Sequence, residues 1–160
     1  MAWFKRTKRP ITAPDKSSRV PEGLWVKCPS CGQILYNKDL VANVQVCTKC
    51  AHHFRMSAKE RLALLFDGGT YTVHDANLRS NDPLQFTDTK PYRKRLDASI
   101  KSTGLIDAIN SATGQLDGIP TTIAAMEYGF IGVSMGVVVA ESIARAIERA
   151  IADRQPEIGR

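Results

Sequence analysis

Apolar and polar positions follow different spacings in successive parts of this 160-residue chain. The first 22 residues hold three prolines among basic and hydroxyl side chains and almost no apolar periodicity, which predicts an extended basic arm over residues 1–22. Residues 23–56 carry short apolar runs between cysteines, a pattern typical of short strands in a small unit. These runs cover residues 24–26, 34–36 and 44–46.

Longer periodic segments begin at residue 57. Ser57 and Glu60 have the spacing of a capping box, which predicts the start of a helix that ends at Gly68. Residues 71–73 read as a strand, and a second helix is predicted over 91–103. The pair Asp117-Gly118 predicts the turn of a hairpin between residues 105–115 and 119–126.

A long amphipathic helix is predicted between residue 136 and Pro156. Apolar residues recur on it at intervals of three and four, so we expect them to form its buried face: Val137, Ala140, Ala144, Ile147 and Ile151. Such a helix commonly delivers the chain into another strand, and only residues 157–160 follow. We therefore expect a partial version of a longer α/β or α+β fold.

Composition narrows the class of protein. Hydrophobic residues make up 43% and charged residues 24%, which excludes disorder throughout the chain. The apolar stretch around residues 137–140 is too short for a membrane span, so no membrane insertion is expected. The basic start continues into Lys8, Arg9 and Pro10 instead of an apolar signal region. We therefore expect a protein of the reducing cytoplasm.

The net charge of +6 is unevenly distributed. Residues 1–70 contain 12 Lys and Arg against 5 Asp and Glu, whereas residues 71–160 contain 10 against 11. Clustered basic side chains attract polyanions, so the basic excess in residues 1–70 indicates a nucleic-acid surface, an acidic partner or a phosphorylated ligand. A solvated basic tail is the alternative explanation for the first 20 residues.

All four cysteines form two C-x-x-C pairs separated by fifteen residues: Cys28 with Cys31, and Cys47 with Cys50. This spacing is typical of a tetrahedral Zn²⁺ site. Two disulfides would conflict with a reducing compartment, and a redox site would need only one pair. Four thiolates leave no open position for water, so we predict one structural zinc ion.

Two further features accompany the cysteines. His52 and His53 are near the second pair, but four sulfurs already complete the site, so we expect neither histidine to be a ligand. Basic side chains lie around the zinc ribbon at Lys27, Lys38, Lys49, Arg55 and Arg61. Taken alone, a basic ribbon of this kind is typical of a module that binds nucleic acid or an acidic protein.

With these residues in place, the chain resembles the β subunit of the bacterial and plastid acetyl-CoA carboxylase carboxyltransferase. The similar segments cover nearly the whole chain and occur in the same order as in the family. It is carried by Pro21-Glu22-Gly23-Leu24-Trp25, Cys28-Pro29-Ser30-Cys31-Gly32, Cys47-Thr48-Lys49-Cys50, Ala51-His52-His53-Phe54-Arg55-Met56, Asp82-Pro83-Leu84, Tyr92, Arg95-Leu96, Thr103-Gly104, Asp107-Ala108, Phe130-Ile131-Gly132, Ser134-Met135-Gly136 and Arg145-Ala146-Ile147-Glu148.

The resemblance implies a zinc ribbon over residues 23–56 and the first part of a crotonase-like ββα domain over residues 57–160. It implies transfer of the carboxyl group from carboxybiotin on a carrier protein to acetyl-CoA, which gives malonyl-CoA for fatty-acid synthesis. The implied partners are the carboxyltransferase α subunit, the biotin carboxyl carrier protein and biotin carboxylase. The implied compartment is the cytoplasm or the plastid stroma.

In this family, backbone amides at glycine-rich turns stabilise the oxyanions of the thioester enolate and of biotin. The resemblance implies that Gly132, Ser134 and Gly136 lie on the CoA side, with close helix–strand packing as the alternative role of the two glycines. Val133 departs from the family's usual glycine. The oxyanion-hole segment of the family corresponds to positions beyond Arg160, so no catalytic residue is assigned within the chain and we expect the chain alone to be inactive.

Overall fold

The computed structural model describes residues 23–132 and 135–159, so the predicted arm over residues 1–22 lies outside the described residues. The chain separates into two compact units, one up to Arg55 and one from Met56. Within the described ranges, no helix has the length and apolar character that a bilayer span requires. The functional division into arm, ribbon and carboxyltransferase part stays a prediction.

The smaller unit is built on a two-stranded antiparallel sheet and a short helix. Strand β1 spans Trp25–Lys27, strand β2 spans Ile34–Tyr36, and helix α1 spans Asn37–Ala42. The first two predicted strands are therefore confirmed. Side chains of both strands and of α1 form one small core, together with two of the cysteines: Val26, Cys28, Leu35, Leu40, Cys47 and Phe54.

The third predicted strand, over residues 44–46, is wrong. Val44 and Gln45 have left-handed backbone conformations, with φ of 55° and 59°. Their amides donate to the carbonyls of Val41 and Leu40 at 3.0 and 2.8 Å, so they form the end of α1. A three-residue alternation is too short to distinguish a strand from the unwinding end of a helix.

The larger unit contains a four-stranded sheet of order β3-β4-β5-β6. Its strands span Tyr71–His74, Ile109–Leu116, Ile119–Met126 and Glu157–Gly159. The first three strands are antiparallel, and β6 lies parallel to β5. Asp117 and Gly118 both have positive φ, 51° and 75°, which confirms the predicted two-residue hairpin turn.

Three α-helices accompany this sheet: α2 at Ala58–Leu65, α3 at Tyr92–Thr103 and α4 at Val137–Asp153. The predicted capping box is confirmed, because the Ser57 hydroxyl accepts from the Glu60 amide and the Glu60 carboxylate accepts from the Ser57 amide. A short 3₁₀ turn over Asp67–Gly69 follows α2. Gly104 ends α3 in a left-handed conformation, with φ of 72°.

Helices α2 and α4 cover opposite faces of the sheet. Leu62 and Phe66 at α2 pack against Ile123 of β5. Val139 and Ile143 of α4 belong to a second cluster that also contains the following side chains: Ala108, Ile109, Met126 and Phe130. Alternate strand residues point to opposite faces, so the central hairpin is buried on both sides.

The predicted inner face of α4 is wrong. Val137, Ile147 and Ile151 are exposed, with 74%, 41% and 72% of their surface accessible. The face that packs inward instead carries smaller side chains: Val138, Val139, Ser142, Ala146 and Ala150. Small residues allow the helix axis to come close to the sheet, and this close approach determines which face is inside.

A partly buried ion cluster connects α4 to the end of β3. The Asp75 carboxylate accepts hydrogen bonds from Arg149 at 2.8 Å and from Arg145 at 3.2 Å. Only 12% of the Asp75 side chain is exposed. Burial would raise the pKa of Asp75, but the hydrogen bonds from the two arginines outweigh it and hold that pKa below its usual value.

We predict that Asp75→Asn destabilises the larger unit by about 1–3 kcal/mol at neutral pH, because it leaves a partly buried Arg149 guanidinium without its carboxylate. The pKa of Asp75 is lower in the folded protein than in the unfolded chain, so its ionised carboxylate stabilises the fold at any pH above the unfolded-state pKa. This stabilisation is lost as the pH falls through the folded-state pKa. In denaturant titrations, the difference in unfolding free energy between the variant and the unchanged protein should therefore shrink below about pH 4. A constant difference down to pH 2 would contradict this origin.

Candidate functional site

Two loops of the same hydrogen-bond geometry hold the four cysteines. In the first, the Cys28 amide donates to the Gln33 carbonyl at 2.8 Å, and the Gly32 amide donates to the Cys28 carbonyl at 2.9 Å. The second loop repeats this pattern, with the Cys47 amide on the His52 carbonyl at 2.8 Å and the Ala51 amide on the Cys47 carbonyl at 3.0 Å.

The fifth residue of each loop has a left-handed conformation. Gly32 has φ of 72°, and Ala51 has φ of 56° at the equivalent place. Glycine adopts this conformation without strain, whereas alanine does not. The second loop therefore has a conformation that its own sequence did not indicate.

The four sulfur atoms converge. The Sγ atoms of Cys28 and Cys50 are 3.7 Å apart, and those of Cys31 and Cys47 are 3.9 Å apart. All four lie within 4.8 Å of one another. A tetrahedron with Zn–S bonds of about 2.3 Å has S–S edges of about 3.8 Å, so two of the spacings match this edge and the donor set fits a zinc ion.

The thiols also affect one another's ionisation. The Gln33 amide favours the Cys31 thiolate, but desolvation and hydrogen bonds with the other three thiols outweigh it and raise the pKa of Cys31 to about 12. Desolvation opposes ionisation of Cys47 too, yet the amides of Lys49 and Cys50 lower the pKa of Cys47 to about 7. Without a cation, the four sulfurs thus do not all ionise at neutral pH, and a bound metal ion would have to displace the remaining protons.

The two histidines lie beside this cluster without joining it. The His52 ring contacts Phe54 edge to face, with centroids 5.2 Å apart, and His53 is exposed. Among the described residues, only the four cysteines form a group that could hold a metal ion. The chain therefore has a zinc-ribbon site of four sulfur donors, with no fifth donor in the group.

The glycine segment precedes α4 in the larger unit. Gly132 has φ of 65°, and Gly136 is the N-cap of α4, with no side-chain hydrogen bond to the helix start. A Cβ atom added at either glycine would meet no neighbouring atom within 4 Å. Close helix–strand packing therefore does not explain these glycines. Ser134 and Val133 lie outside the described residues.

Glu127 anchors the loop that leads to this segment, a role that the sequence reasoning missed. Its carboxylate accepts from the Ala58 amide at 2.9 Å, at the first residue of α2, and from the Gly129 amide at 3.1 Å. The backbone amide of Glu127 donates to the Ala108 carbonyl at 2.7 Å. Glu127 thus fixes the loop through its side chain to the start of α2 and through its backbone amide to Ala108, the residue before β4. No local sequence pattern indicated the long-range contact with α2.

A cavity of about 190 Å³ lies near the start of α4 and is lined in part by Asp107, Asn110, Val138 and Ser142. Burial raises the pKa of Asp107, although the Ala108 amide donates to its carboxylate at 2.8 Å. Asp107 and Val138 also line a smaller cleft beside Gly136. The start of α4 is therefore flanked by a recess whose lining includes the carboxyl groups of Asp75 and Asp107.

Comparison with known proteins identifies the relatives of the chain. The family described as the acetyl-CoA carboxylase zinc finger domain matches residues 25–50. The acetyl-coenzyme A carboxylase carboxyl transferase subunit beta of Citrifermentans bemidjiense is 48% identical over 157 residues, covering 98% of this chain and 56% of the relative. The subunits of the same name from Pedobacter heparinus and Acaryochloris marina are 46% and 44% identical, covering 98% and 96% of this chain and 56% and 51% of the relatives.

A solved structure shares the fold. The crystal structure of transcarboxylase 12S, described with methylmalonyl-coenzyme A and methylmalonic acid bound, has a TM-score of 0.51 at 18% identity and covers 66% of this chain and 18% of that chain. This similarity and the zinc-finger match confirm the predicted fold class, a zinc ribbon with a crotonase-like α/β part. The chain spans about half the length of the curated relatives it matches. Because identity of 44–48% extends over nearly the whole chain, the chain belongs to the family of the acetyl-coenzyme A carboxylase carboxyl transferase subunit beta.

Proposed function

We propose that this chain contributes the acetyl-CoA side of a carboxyl transfer from carboxybiotin to acetyl-CoA, which forms malonyl-CoA. The observation that carries this proposal is the 48% identity to a carboxyl transferase subunit beta over 98% of the chain. The proposed partners are the carboxyltransferase α subunit, the biotin carboxyl carrier protein and biotin carboxylase. The proposed compartment is the cytoplasm or the plastid stroma.

The proposed chemistry requires little of the side chains. Carboxybiotin releases CO₂, its ureido nitrogen accepts a methyl proton of acetyl-CoA, and the resulting enolate attacks CO₂. The protein then has to stabilise the oxyanion of the enolate, and free backbone amides at a helix start can do this. We propose that Gly132, Ser134 and Gly136 lie on the CoA side of that site.

The geometry at Gly136 supports this role. The first amides of a helix have no acceptor within the helix, and among the described residues no side chain caps α4. Gly136 has φ of −80°, which other residues adopt as well, and the space around its α-carbon is open. Neither backbone conformation nor packing explains a glycine there, whereas close approach of a ligand to the backbone would.

For the smaller unit, we propose that Cys28, Cys31, Cys47 and Cys50 hold one structural Zn²⁺. When bound, the ion supplies a cross-link between the two loops. The sulfur spacings support this assignment. The core of this unit is small, and structural zinc sites contribute an apparent binding free energy of about 10–16 kcal/mol. Folding of the ribbon is therefore proposed to depend on the metal ion.

We predict that Cys28→Ser or Cys47→Ser abolishes stoichiometric zinc binding and unfolds residues 23–55. Both side chains are buried in the ribbon core as well as in the sulfur cluster. Elemental analysis gives the zinc content, and amide hydrogen exchange reports on the two units separately. The matched control is His53→Ala, which should keep one zinc per chain. Retention of one zinc ion with unchanged exchange in a cysteine variant would contradict the four-sulfur site.

A second prediction concerns the start of α4. Gly136→Ser adds a good N-cap, so we expect folding stability to be kept or raised. The new hydroxyl would also occupy the helix start, so we expect at least a tenfold weaker binding of acetyl-CoA. Acetyl-CoA binding is measured by calorimetric titration of the chain in complex with a carboxyltransferase α subunit, and Ala152→Ser at the far end of α4 is the control. Equal affinity of both variants for acetyl-CoA would place the CoA contact elsewhere.

The basic N-terminal half favours a second candidate function, a zinc-ribbon module that binds nucleic acid or an acidic protein. Lys27, Lys38 and Lys49 are all exposed on the described part of the ribbon. A tetrathiolate zinc site carries a charge of about −2, which offsets part of this basic excess. The ribbon surface alone therefore gives weaker support to this function than the sequence count indicated.

Salt dependence separates the two functions. Binding through phosphate contacts falls steeply with salt, by about 10³–10⁵ between 50 and 200 mM for six to ten contacts. We expect random single-stranded RNA to follow this steep dependence, and acetyl-CoA binding to change far less. Fluorescence titrations at the two salt concentrations make the comparison. Tight RNA binding at 50 mM salt that falls by this factor at 200 mM would favour the nucleic-acid module.

A further inference from the structure

A surface cavity of about 410 Å³ lies between helix α3 and the loop that follows β3. We call it the arginine cavity, because Arg79 and Arg93 form part of its lining. Its apolar wall consists of Leu96, Ile100 and Ile106. Sites for small organic ligands are typically concave, with volumes of about 300–1,000 Å³, and combine an apolar wall with a few polar groups. The arginine cavity has this size and this kind of lining.

Both arginines are available to a ligand. Among the residues that the structure describes, neither Arg79 nor Arg93 has an ion pair, whereas Arg95, Arg145 and Arg149 each bind a carboxylate. Guanidinium groups bind phosphate oxygens in a bidentate geometry, and such charge-assisted hydrogen bonds are stronger than neutral ones. Two guanidinium groups at one cavity therefore indicate a ligand with phosphate groups.

The two arginines come from separate segments, and one hydrogen bond connects these segments. The hydroxyl oxygens of Ser80 and Tyr92 are 3.0 Å apart, and each of these residues is the direct chain neighbour of one arginine. The loop between them is closed further, because the Tyr92 amide donates to the Phe86 carbonyl at 2.9 Å. The backbone at Arg79 and Arg93 is thus held at one cavity before a ligand arrives, which lowers the entropy cost of binding.

Two carboxylates also line the arginine cavity and restrict the kind of ligand. Asp97 lies on α3, and the Asp82 carboxylate accepts from the Phe86 amide at 3.0 Å. The formal charges of the two arginines and the two aspartates cancel, so a bare inorganic anion gains little there. An adenine nucleotide matches the lining better, since it has phosphates for the arginines, an exocyclic amine for a carboxylate and a planar base for the apolar wall.

The arginine cavity adjoins the recess at the start of α4. Ser80 lines both the arginine cavity and the small cleft beside Gly136. Ile106 lines both the arginine cavity and the cavity of about 190 Å³ near α4. One extended ligand can therefore reach from the start of α4 to the two arginines. Coenzyme A has this form, with a thiol at one end of its pantetheine arm and a phosphorylated adenine nucleotide at the other.

We propose that the arginine cavity binds the phosphorylated adenine nucleotide of coenzyme A, and that Arg79 and Arg93 select this end of the substrate. The inference rests on the proposed function and adds to it the place of the substrate end that is remote from the reacting carbon. Binding energy gained at a remote end of a substrate holds the reacting end in place. The two arginines therefore make the chain accept thioesters of coenzyme A in preference to thioesters of pantetheine.

The test is calorimetric titration of the 160-residue chain, with zinc present, using coenzyme A, adenosine 3′,5′-bisphosphate, pantetheine and inorganic phosphate as probes. We expect the first two to bind, and Arg79→Glu and Arg93→Glu each to weaken both at least about tenfold, because a carboxylate repels the phosphates. Pantetheine should bind weakly and equally to all variants. Lys94→Glu is the matched control, since it makes the same change of charge on α3 but does not line the cavity; it should bind as the unchanged chain does.

Two milder variants separate loss of a contact from loss of the fold. Arg93→Lys keeps the positive charge but not the bidentate fork, so we expect a smaller loss of affinity than in Arg93→Glu. Tyr92→Phe removes the hydroxyl that binds Ser80, so it should weaken the two nucleotide probes and leave pantetheine unchanged. Thermal unfolding of each variant without a probe checks its folding.

Three results would overturn the proposal. They are absence of adenosine 3′,5′-bisphosphate binding, an equal loss of affinity in Lys94→Glu, and binding of the free bisphosphate as tight as that of coenzyme A, which would indicate a site for a free nucleotide. Acetyl-CoA binding that depends on Gly136 but not on the arginines would remove this inference and leave the proposed carboxyl transfer intact. Nucleotide binding that depends on the arginines without any malonyl-CoA formation in the complex would do the reverse.

Discussion

The β4–β5 hairpin is the constraint on which the larger unit depends. Its two-residue turn fixes the register, so Ala112 lies opposite Ile123 and Ser111 lies opposite Ala124. A shift by one residue would exchange the faces and remove the apolar side chains from α2. Asp67, just after α2, reinforces this register because its carboxylate accepts from the amides of Asp117 and Gly118 at 3.0 and 2.8 Å. These two hydrogen bonds therefore hold the hairpin turn and the end of α2 in a fixed relative position.

The hairpin also explains how the glycine segment is positioned. The chain leaves β5 at Met126, and Glu127 immediately binds the start of α2. Phe130 is then buried beside Val139 of α4, so the chain is anchored twice shortly before Gly132. A backbone site needs such support because its amides cannot be oriented by rotamer choice. Two anchors thus lie directly before the segment proposed to approach CoA.

Local signals made much of this fold predictable. The capping box of Ser57, the Asp117-Gly118 turn and the cysteine spacing each specify a conformation within a few residues, and each was confirmed. The left-handed conformation of Ala51 was not predicted, because alanine does not signal a positive φ as Gly32 does at the equivalent place of the first loop. Glu127 escaped prediction for a different reason, since its partner Ala58 is 69 residues away. Features enforced by distant contacts leave no local pattern.

Helix α4 shows why periodicity alone could not assign an inner face. Its sequence contains two apolar sectors, one of large residues such as Ile147 and Ile151 and one of small residues such as Ala146 and Ala150. A period of 3.6 detects both, but hydrophobicity favours the larger side chains, whereas close contact with a flat sheet favours the smaller ones. The small sector packs on the sheet face that carries Ala124 and Ser111, which are both buried and small. The large sector therefore stays exposed, although its side chains are the more hydrophobic.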